Sequence, residues 1–326
     1  MTAKMKAVVI ARYGSPDVLQ LAEVEKLTPR ADEVLVKVLA TAVNQADNHV
    51  LSGSLRFSTG LFKPKQSILG SDIAGVVEVV GANVTQFQPG DAVFGDLSGH
   101  GRGGFAEYIA APVTAVAPKP ANITFVQAAA VPMTAVTALQ GLRDKGHIQA
   151  GQRVLINGAS GGVGTFAVQI ARALRAKVTA VVSTRKVDMV RAIGADHIID
   201  YTQEDFSQNG QQYDLIFDTV GNRSVAEYKR ALKPQGRFVT TAFLPYLVIQ
   251  GPWLSLTEGK KMHNMMAKPN QKDLDVMRDL LETNEVIPII DRCYPLSDVP
   301  EALQYLREGH AKGKVIITMP DISAGQ

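Results

Sequence analysis

The stretch RVLINGASGGVGTFAVQIA, from Arg153 to Ala171, constrains the fold more than any other part of the 326-residue chain. An apolar strand pattern runs into a loop with four glycines, and an apolar helical pattern follows. A strand, a glycine turn and a helix start form the geometry for a diphosphate. The turn lets backbone approach the phosphates, and the helix start offers unpaired N–H groups and a positive dipole end. Gly158, Ala159, Ser160, Gly161, Gly162, Val163 and Gly164 are therefore the expected cradle. The spacing is Ala159-x-Gly161-x-x-Gly164, with alanine where the dinucleotide fingerprint has its first glycine. Gly158, Gly161 and Gly164 also fit a GxxGxxG reading. Alone, such a loop is equally a tight strand–helix corner; its place between an apolar strand and an apolar helix favours a dinucleotide.

The segment after the next strand indicates which dinucleotide. NAD sites place an Asp or Glu about 20 residues beyond the loop, where it accepts from the ribose 2′-hydroxyl. No Asp or Glu occurs from Lys145 to Val187, and the strand KVTAVV ends in Ser183, Thr184, Arg185 and Lys186. Two hydroxyls and two cations suit a 2′-phosphate, which a carboxylate would repel. The alternative is a solvated loop that happens to be basic. NADPH is the expected cofactor.

The rest of the chain falls into two grammars. Residues 1–126 are strand-like and turn-rich, with β-branched runs such as KAVVIA and EVLVKVLATAV broken by Gly14-Ser15-Pro16 and Pro89-Gly90. They predict a twisted, partly closed barrel. Residues 127–267 alternate strand and helix, starting with one helical pattern in VQAAAVPMTAVTALQGL, and predict a doubly wound parallel sheet. Residues 268–326, with the closing strand KGKVIITM, are expected to rejoin the first domain. The fold class is thus α/β, a parallel sheet plus a mostly β domain. The net charge of +3 comes from scattered basic residues, which argues against nucleic acid and membrane surfaces as partners. No apolar stretch is long enough to span a bilayer, and the first residues read as a strand rather than a signal peptide, so a soluble cytoplasmic protein is expected. Cys293, the only cysteine, excludes an internal disulfide and a cysteine zinc cluster.

With these residues in view, the chain resembles the medium-chain dehydrogenase/reductases, in particular the zinc-free quinone oxidoreductases related to zeta-crystallin. The carriers are VNQADNHVLSG (43–53), LGSDIAGVVEVVGANVTQFQPGDAVFG (69–95), GGFAEYIAAP (103–112), VPMTAVTALQGL (131–142), NGASGGVG (157–164), IGADHIIDYTQEDF (193–206), FDTVG (217–221) and GKVIIT (313–318). The resemblance implies a GroES-like catalytic domain beside a Rossmann domain, and a homodimer formed through the strand near KKMHNMMA. Zinc-dependent relatives bind the catalytic metal with Cys, His and Cys. The matching positions here hold Asn44, Ser71 and Met133, an amide, a hydroxyl and a thioether, so no zinc is expected.

The resemblance also implies roles for single residues. Asn44 lies near the nicotinamide. His49 matches a proton-relay histidine of the zinc relatives, or is merely hydrogen-bonded in place. Thr137 lies near the nicotinamide, or bonds back into its own helix. Tyr201 lies against the adenosine end, or covers a strand end. Val220 and Gly221 line the cofactor trough with backbone. Lys314 reaches the diphosphate, or is a surface strand lysine. Asp47 is read as a turn stabiliser. Cys293 reads as a packed thiol, and Met262, Met265 and Met266 as strand and packing residues. The segments 51–65 and 243–259, with Trp253, are expected to shape the substrate pocket. The expected reaction is hydride transfer from NADPH to an electron-poor acceptor, a quinone or an α,β-unsaturated carbonyl. The alternatives are a nucleotide-binding regulatory or crystallin-like protein without turnover and, less in keeping with the ligand positions, a zinc-type alcohol dehydrogenase.

Overall fold

Strands form where the β-branched runs lie. In the computed structural model, residues 3–320 are described, apart from the side chains of 249, 250, 252–254 and 258. Trp253 therefore lies outside the described side chains. β1 (Lys4–Ile10) and β2 (Leu19–Glu25) pair antiparallel as a separate two-stranded sheet, with the chain reversing around Pro16. β3 (Glu33–Ala42) leads into two short helices, α1 (Gln45–Leu51) and α2 (Arg56–Thr59). β4 (Asp72–Val80), β5 (Ala92–Asp96), β6 (Tyr108–Pro112) and β7 (Val116–Pro118) follow.

The single helix expected over VQAAAVPMTAVTALQGL is broken. α3 (Phe125–Ala129) stops before Val131, and α4 (Pro132–Gln140) starts on the proline. Proline has no N–H to give and disfavours helical backbone in the residue before it, so the break falls at that junction. Thr124 caps α3 in a reciprocal box with Gln127.

From there strands and helices alternate. They are β8 (Arg153–Asn157), α5 (Gly162–Ala173), β9 (Lys177–Val182), α6 (Val187–Ala192), β10 (His197–Asp200), β11 (Tyr213–Asp218), α7 (Val225–Ala231), β12 (Leu232–Thr240), α8 (Leu247–Glu258) and β13 (Lys261–Asn264). All six strands are parallel, in the order β10-β9-β8-β11-β12-β13, so the sheet reverses direction of growth at β8. Ligands of such sheets bind at the carboxyl ends of the strands flanking that reversal. α9 (Gln271–Glu282), β14 (Ile290–Pro295), α10 (Val299–Arg307) and β15 (Lys314–Thr318) complete the chain.

The second sheet runs β14-β15-β3-β4-β5-β7, with β6 also on β3. β3 is its spine. Its first half pairs with β6, its last residues pair with β15, and β4 runs along its other edge through two register shifts.

Two compact units result. The first comprises Met1–Met133, Pro269–Glu282 and Pro288–Gln326; the second comprises Thr134–Lys268 and Thr283–Ile287. This division places α3 with the first unit. The first core is valine-rich, with Val8, Val34, Val36, Val77, Val93 and Val315 all buried. The second includes an aromatic cluster of Phe206, Tyr213, Tyr228 and Phe238. Among the described residues, no helix is long and apolar enough to cross a membrane.

Candidate functional site

In the second unit, β8 runs into the glycine turn at the sheet's reversal. Gly158 takes φ +82°, a left-handed conformation that favours glycine, so the tight-turn role of the fingerprint's first glycine falls one residue before Ala159. Ala159 and Ser160 are buried behind the turn. Gly161 is the N-cap of α5, with no side chain capping the helix and no acid in its first turn. The N–H groups of Gly162, Val163 and Gly164 stand at the open start of the helix. A Cβ on Gly164 would fall on the carbonyl oxygen of Gly158, whereas one on Gly161 would meet nothing closer than 3.7 Å. Gly164 is thus a packing glycine and Gly161 leaves open space, an arrangement that fits a diphosphate.

The neighbouring strand end is tied to this turn. Asp218, fully buried at the end of β11, accepts from Asn157 Nδ2 (2.8 Å), Thr240 Oγ1 (2.7 Å) and the N–H of Gly221 (3.0 Å). It fixes Val220 and Gly221 in place, with Gly221 at φ +70° and Val220 47% exposed. Sequence reasoning missed Asp218 as the organiser of that turn.

At the end of β9, Ser183 to Lys186 form a short turn leading into α6. Tyr201 lies beside it, 57% exposed, its N–H bonded to Val182 O at 3.0 Å. The structure brings Ser183–Lys186 and Tyr201 together at one strand end. It adds Asp200, which accepts from Thr184 Oγ1 at 2.6 Å.

In the first unit, Asn44 is buried at the N-terminus of α1. Lys314 Nζ donates to Asn44 Oδ1 (2.6 Å) and to Asp72 Oδ2 (3.0 Å), and Asn44 Nδ2 donates to Asp72 Oδ2 (2.9 Å). Met133 N–H donates to the other oxygen of Asp72 at 2.7 Å. Of the three positions matched to zinc ligands, Asn44 and Met133 therefore hold a carboxylate already paired with an ammonium, and Ser71 precedes that carboxylate in the chain. Asp47 accepts from the N–H of Asn44 (2.9 Å) and Gly70 (3.3 Å) and lies 3.4 Å from Arg102. Arg102 also donates to Ser71 Oγ at 2.8 Å. Arg102 and Asp72 carried no sequence signal that singled them out.

Three buried carboxylates, Asp47, Asp72 and Asp96, thus share two cations, Lys314 and Arg102. Burial, opposed by the Arg102 charge, pushes Asp47 up to about 6. Burial, reinforced by the Asp72 charge, pushes Asp96 to about 6 as well. A carboxyl with a raised folded pKa contributes stability that is present below its unfolded value, 3.8, and is lost as pH rises through about 6. Lowering pH from 7 to 5 is therefore expected to increase protection of first-unit amides from hydrogen exchange. The Asp96→Asn variant should lose part of that gain; an unchanged gain would refute the assignment.

Lys314 is not a surface lysine: it is 2% exposed, with its ammonium committed to Asn44 and Asp72. His49 is exposed near the end of α1, and among the described residues no hydrogen bond fixes its imidazole. Thr137 is half-buried on α4, in the second unit. Two expectations are corrected. Cys293 is exposed rather than packed, since β14 lies at the edge of its sheet. Met266 is 87% exposed just past β13, while Met262 is buried as expected.

A glycine-cradled helix start at the reversal of a parallel sheet defines a dinucleotide-binding protein. Two family models match, one described as an alcohol dehydrogenase GroES-like domain over residues 30–121, the other as a zinc-binding dehydrogenase over residues 193–317. The chain is 34% identical to a 2-methylene-furan-3-one reductase of Solanum lycopersicum, covering 97% of this chain and 79% of that one. It is 33% identical to a chloroplastic NADPH-dependent alkenal/one oxidoreductase of Arabidopsis thaliana, over 96% and 79%. The solved quinone oxidoreductase of Coxiella burnetii superposes with a TM-score of 0.84 at 27% identity, over 97% of this chain and 99% of that one. The chain belongs to the medium-chain dehydrogenase/reductase superfamily, with quinone oxidoreductase-like and enone reductase relatives. It is an NAD(P)H-dependent oxidoreductase with a nicotinamide cofactor.

Proposed function

We propose that this protein is an NADPH-dependent, zinc-independent reductase of α,β-unsaturated carbonyl compounds. The observation that carries the reading is the strand end at Ser183–Lys186, two hydroxyls and two cations with no acid on the same strand, beside a cradle that accepts a diphosphate. When bound, the reduced nicotinamide supplies the hydride. The chain's own part is to hold the diphosphate on Gly158–Gly164 and the ribose phosphate on Ser183–Lys186, and to present an acceptor to the nicotinamide. Two relatives named for furanone and alkenal/one reduction favour the enone acceptor. A quinone is the second reading, favoured by the structural neighbour of that name.

Zinc does not fit the donor set. An amide, a hydroxyl and a thioether replace its usual ligands, and the Lys314 ammonium already sits on Asn44 and Asp72. Asn44 itself is held on both sides, its amide oxygen accepting from Lys314 and its amide nitrogen donating to Asp72 and to Ala42 O, so it shapes the site rather than binding the acceptor. The proton that follows hydride addition comes from water, because a general acid must be positioned and His49 is not. His49→Phe is expected to change enone turnover by less than about tenfold, below the 10²–10⁴ of a positioned acid. β13, at the edge of the parallel sheet, is the strand through which two copies would pair as a homodimer.

The test is cofactor oxidation followed at 340 nm with a short enone and a quinone, with and without chelator. NADPH-preferring turnover of the enone that chelator leaves unchanged supports the reading. Turnover abolished by chelator refutes its zinc-independent part. Tight NADPH binding without turnover of either acceptor would instead support a crystallin-like, non-catalytic role.

A further inference from the structure

The rule that reads NAD or NADP from sequence looks for an acid on the second strand of the unit, which here is β9 and carries none. The fold delivers one from the next strand. β10 lies parallel to β9 with Asp200 in register with Val182, the last residue of β9. The Asp200 side chain reaches across to the turn after β9 and accepts from Thr184 Oγ1 at 2.6 Å. Thr202 holds it from the other side, donating from its N–H (3.0 Å) and its hydroxyl (2.8 Å) to the second oxygen. The two threonine hydroxyls are themselves 3.1 Å apart. All of these donors favour the carboxylate, and the Thr184 hydroxyl does most to hold Asp200 below the usual carboxylate range. A fixed negative charge therefore stands among the residues assigned to the adenosine ribose: Thr184 on one side and Tyr201 as its neighbour in the chain.

We propose that Asp200 is the residue that sets this protein's discrimination between NADPH and NADH. This rests on the dinucleotide reading above and refines it. An NADH 2′-hydroxyl can donate to the carboxylate, as it does to the second-strand acid of other such sheets. An NADPH 2′-phosphate is drawn by Arg185 and Lys186 and repelled by Asp200. Thr184 cannot give its proton to the phosphate while Asp200 holds it. The site is therefore balanced, with a moderate rather than absolute preference for NADPH, and it accepts both cofactors.

The experiment measures binding rather than turnover. Affinities of the full chain for 2′,5′-ADP and 5′-AMP are taken by calorimetry, and those for NADPH and NADH by fluorescence, in wild type, Asp200→Asn and Thr184→Val. Asparagine keeps an acceptor for Thr184 and removes the charge. Asp200→Asn is expected to raise the ratio of 2′,5′-ADP to 5′-AMP affinity about tenfold, the size of one screened charge–charge contact. The NADPH-to-NADH ratio should move the same way. Thr184→Val leaves the charge and removes its hydroxyl partner, so it is expected to lower the same ratios. If Asp200 merely braced the turn, either variant would weaken the phosphorylated and plain nucleotides alike, and unchanged ratios would overturn the proposal. Wild-type protein that bound none of the four nucleotides would overturn the dinucleotide reading as well, so the two failures are distinct.

Discussion

Replacing Lys314 by methionine is expected to destabilise the first unit by about 3–5 kcal/mol, the cost of leaving one member of a buried ion pair alone. Lys314 is 2% exposed, and Asp72 is fully buried. Methionine fills the stem's volume but leaves Asp72 with only neutral donors, Asn44 Nδ2 and the N–H of Met133. The added strain is electrostatic, because the Asp72 charge already bears on Asp47 and Asp96. The urea midpoint measures the loss. The Lys314→Met, Asp72→Asn double variant should recover a large part of it, and the cycle isolates the pair. Equal losses in the single and double variants would show that Lys314 matters through packing alone.

The second large effect is expected at the glycine turn, where two glycines should fail in different ways. A Cβ on Gly164 would collide with the backbone of Gly158 and Ala159, so Gly164→Ala has to open the loop. It should cost about 1–3 kcal/mol of stability as an overpacked site. It should also weaken dinucleotide binding by about 10²-fold, as a displacement near 1 Å does to positioned contacts. The Cβ of Gly161→Ala makes only an ordinary contact, 3.7 Å from the carbonyl oxygen of Gly158, at a φ that alanine adopts, so its stability should fall by less than about 1 kcal/mol, the loss of glycine at the N-cap. Its binding should nonetheless fall, because its methyl occupies the approach to the open start of α5. Thermal unfolding beside nucleotide titration checks both. Binding unaffected in both variants would remove the diphosphate from this loop.

Much of this was legible along the chain because its cues are local. The period of apolar residues gave the alternation of the second unit, and the run NGASGGVG marked the turn at the sheet's reversal. Asp47 was legible as a turn stabiliser because its partner, the N–H of Asn44, is three residues away. What escaped depends on distance in sequence. Lys314 meets Asn44 across 270 positions and Asp72 across 242, so no spacing rule connects them. Asp200 escaped for a related reason: the spacing rule follows one strand, whereas parallel pairing brings in the next. Cys293 was misjudged because cysteine is usually buried, and nothing in DRCYPL reveals that its strand is an edge. The helix over VQAAAVPMTAVTALQGL carried its own contradiction in Pro132, which overrode a continuous apolar period.

β3 pairs with β15, and the buried pair of Asp72 is completed by Lys314. On the ribosome the order of completion is therefore inverted. The second unit has all its residues once Ile287 has been made, while the first, begun earlier, waits for Thr318. During that interval the end of β3 offers an unpaired edge, and Asp72 lacks its cation. The nascent chain is most exposed to mispairing and to chaperone capture while β14 and α10 are being synthesised, and the last strand acts as the latch that ends it.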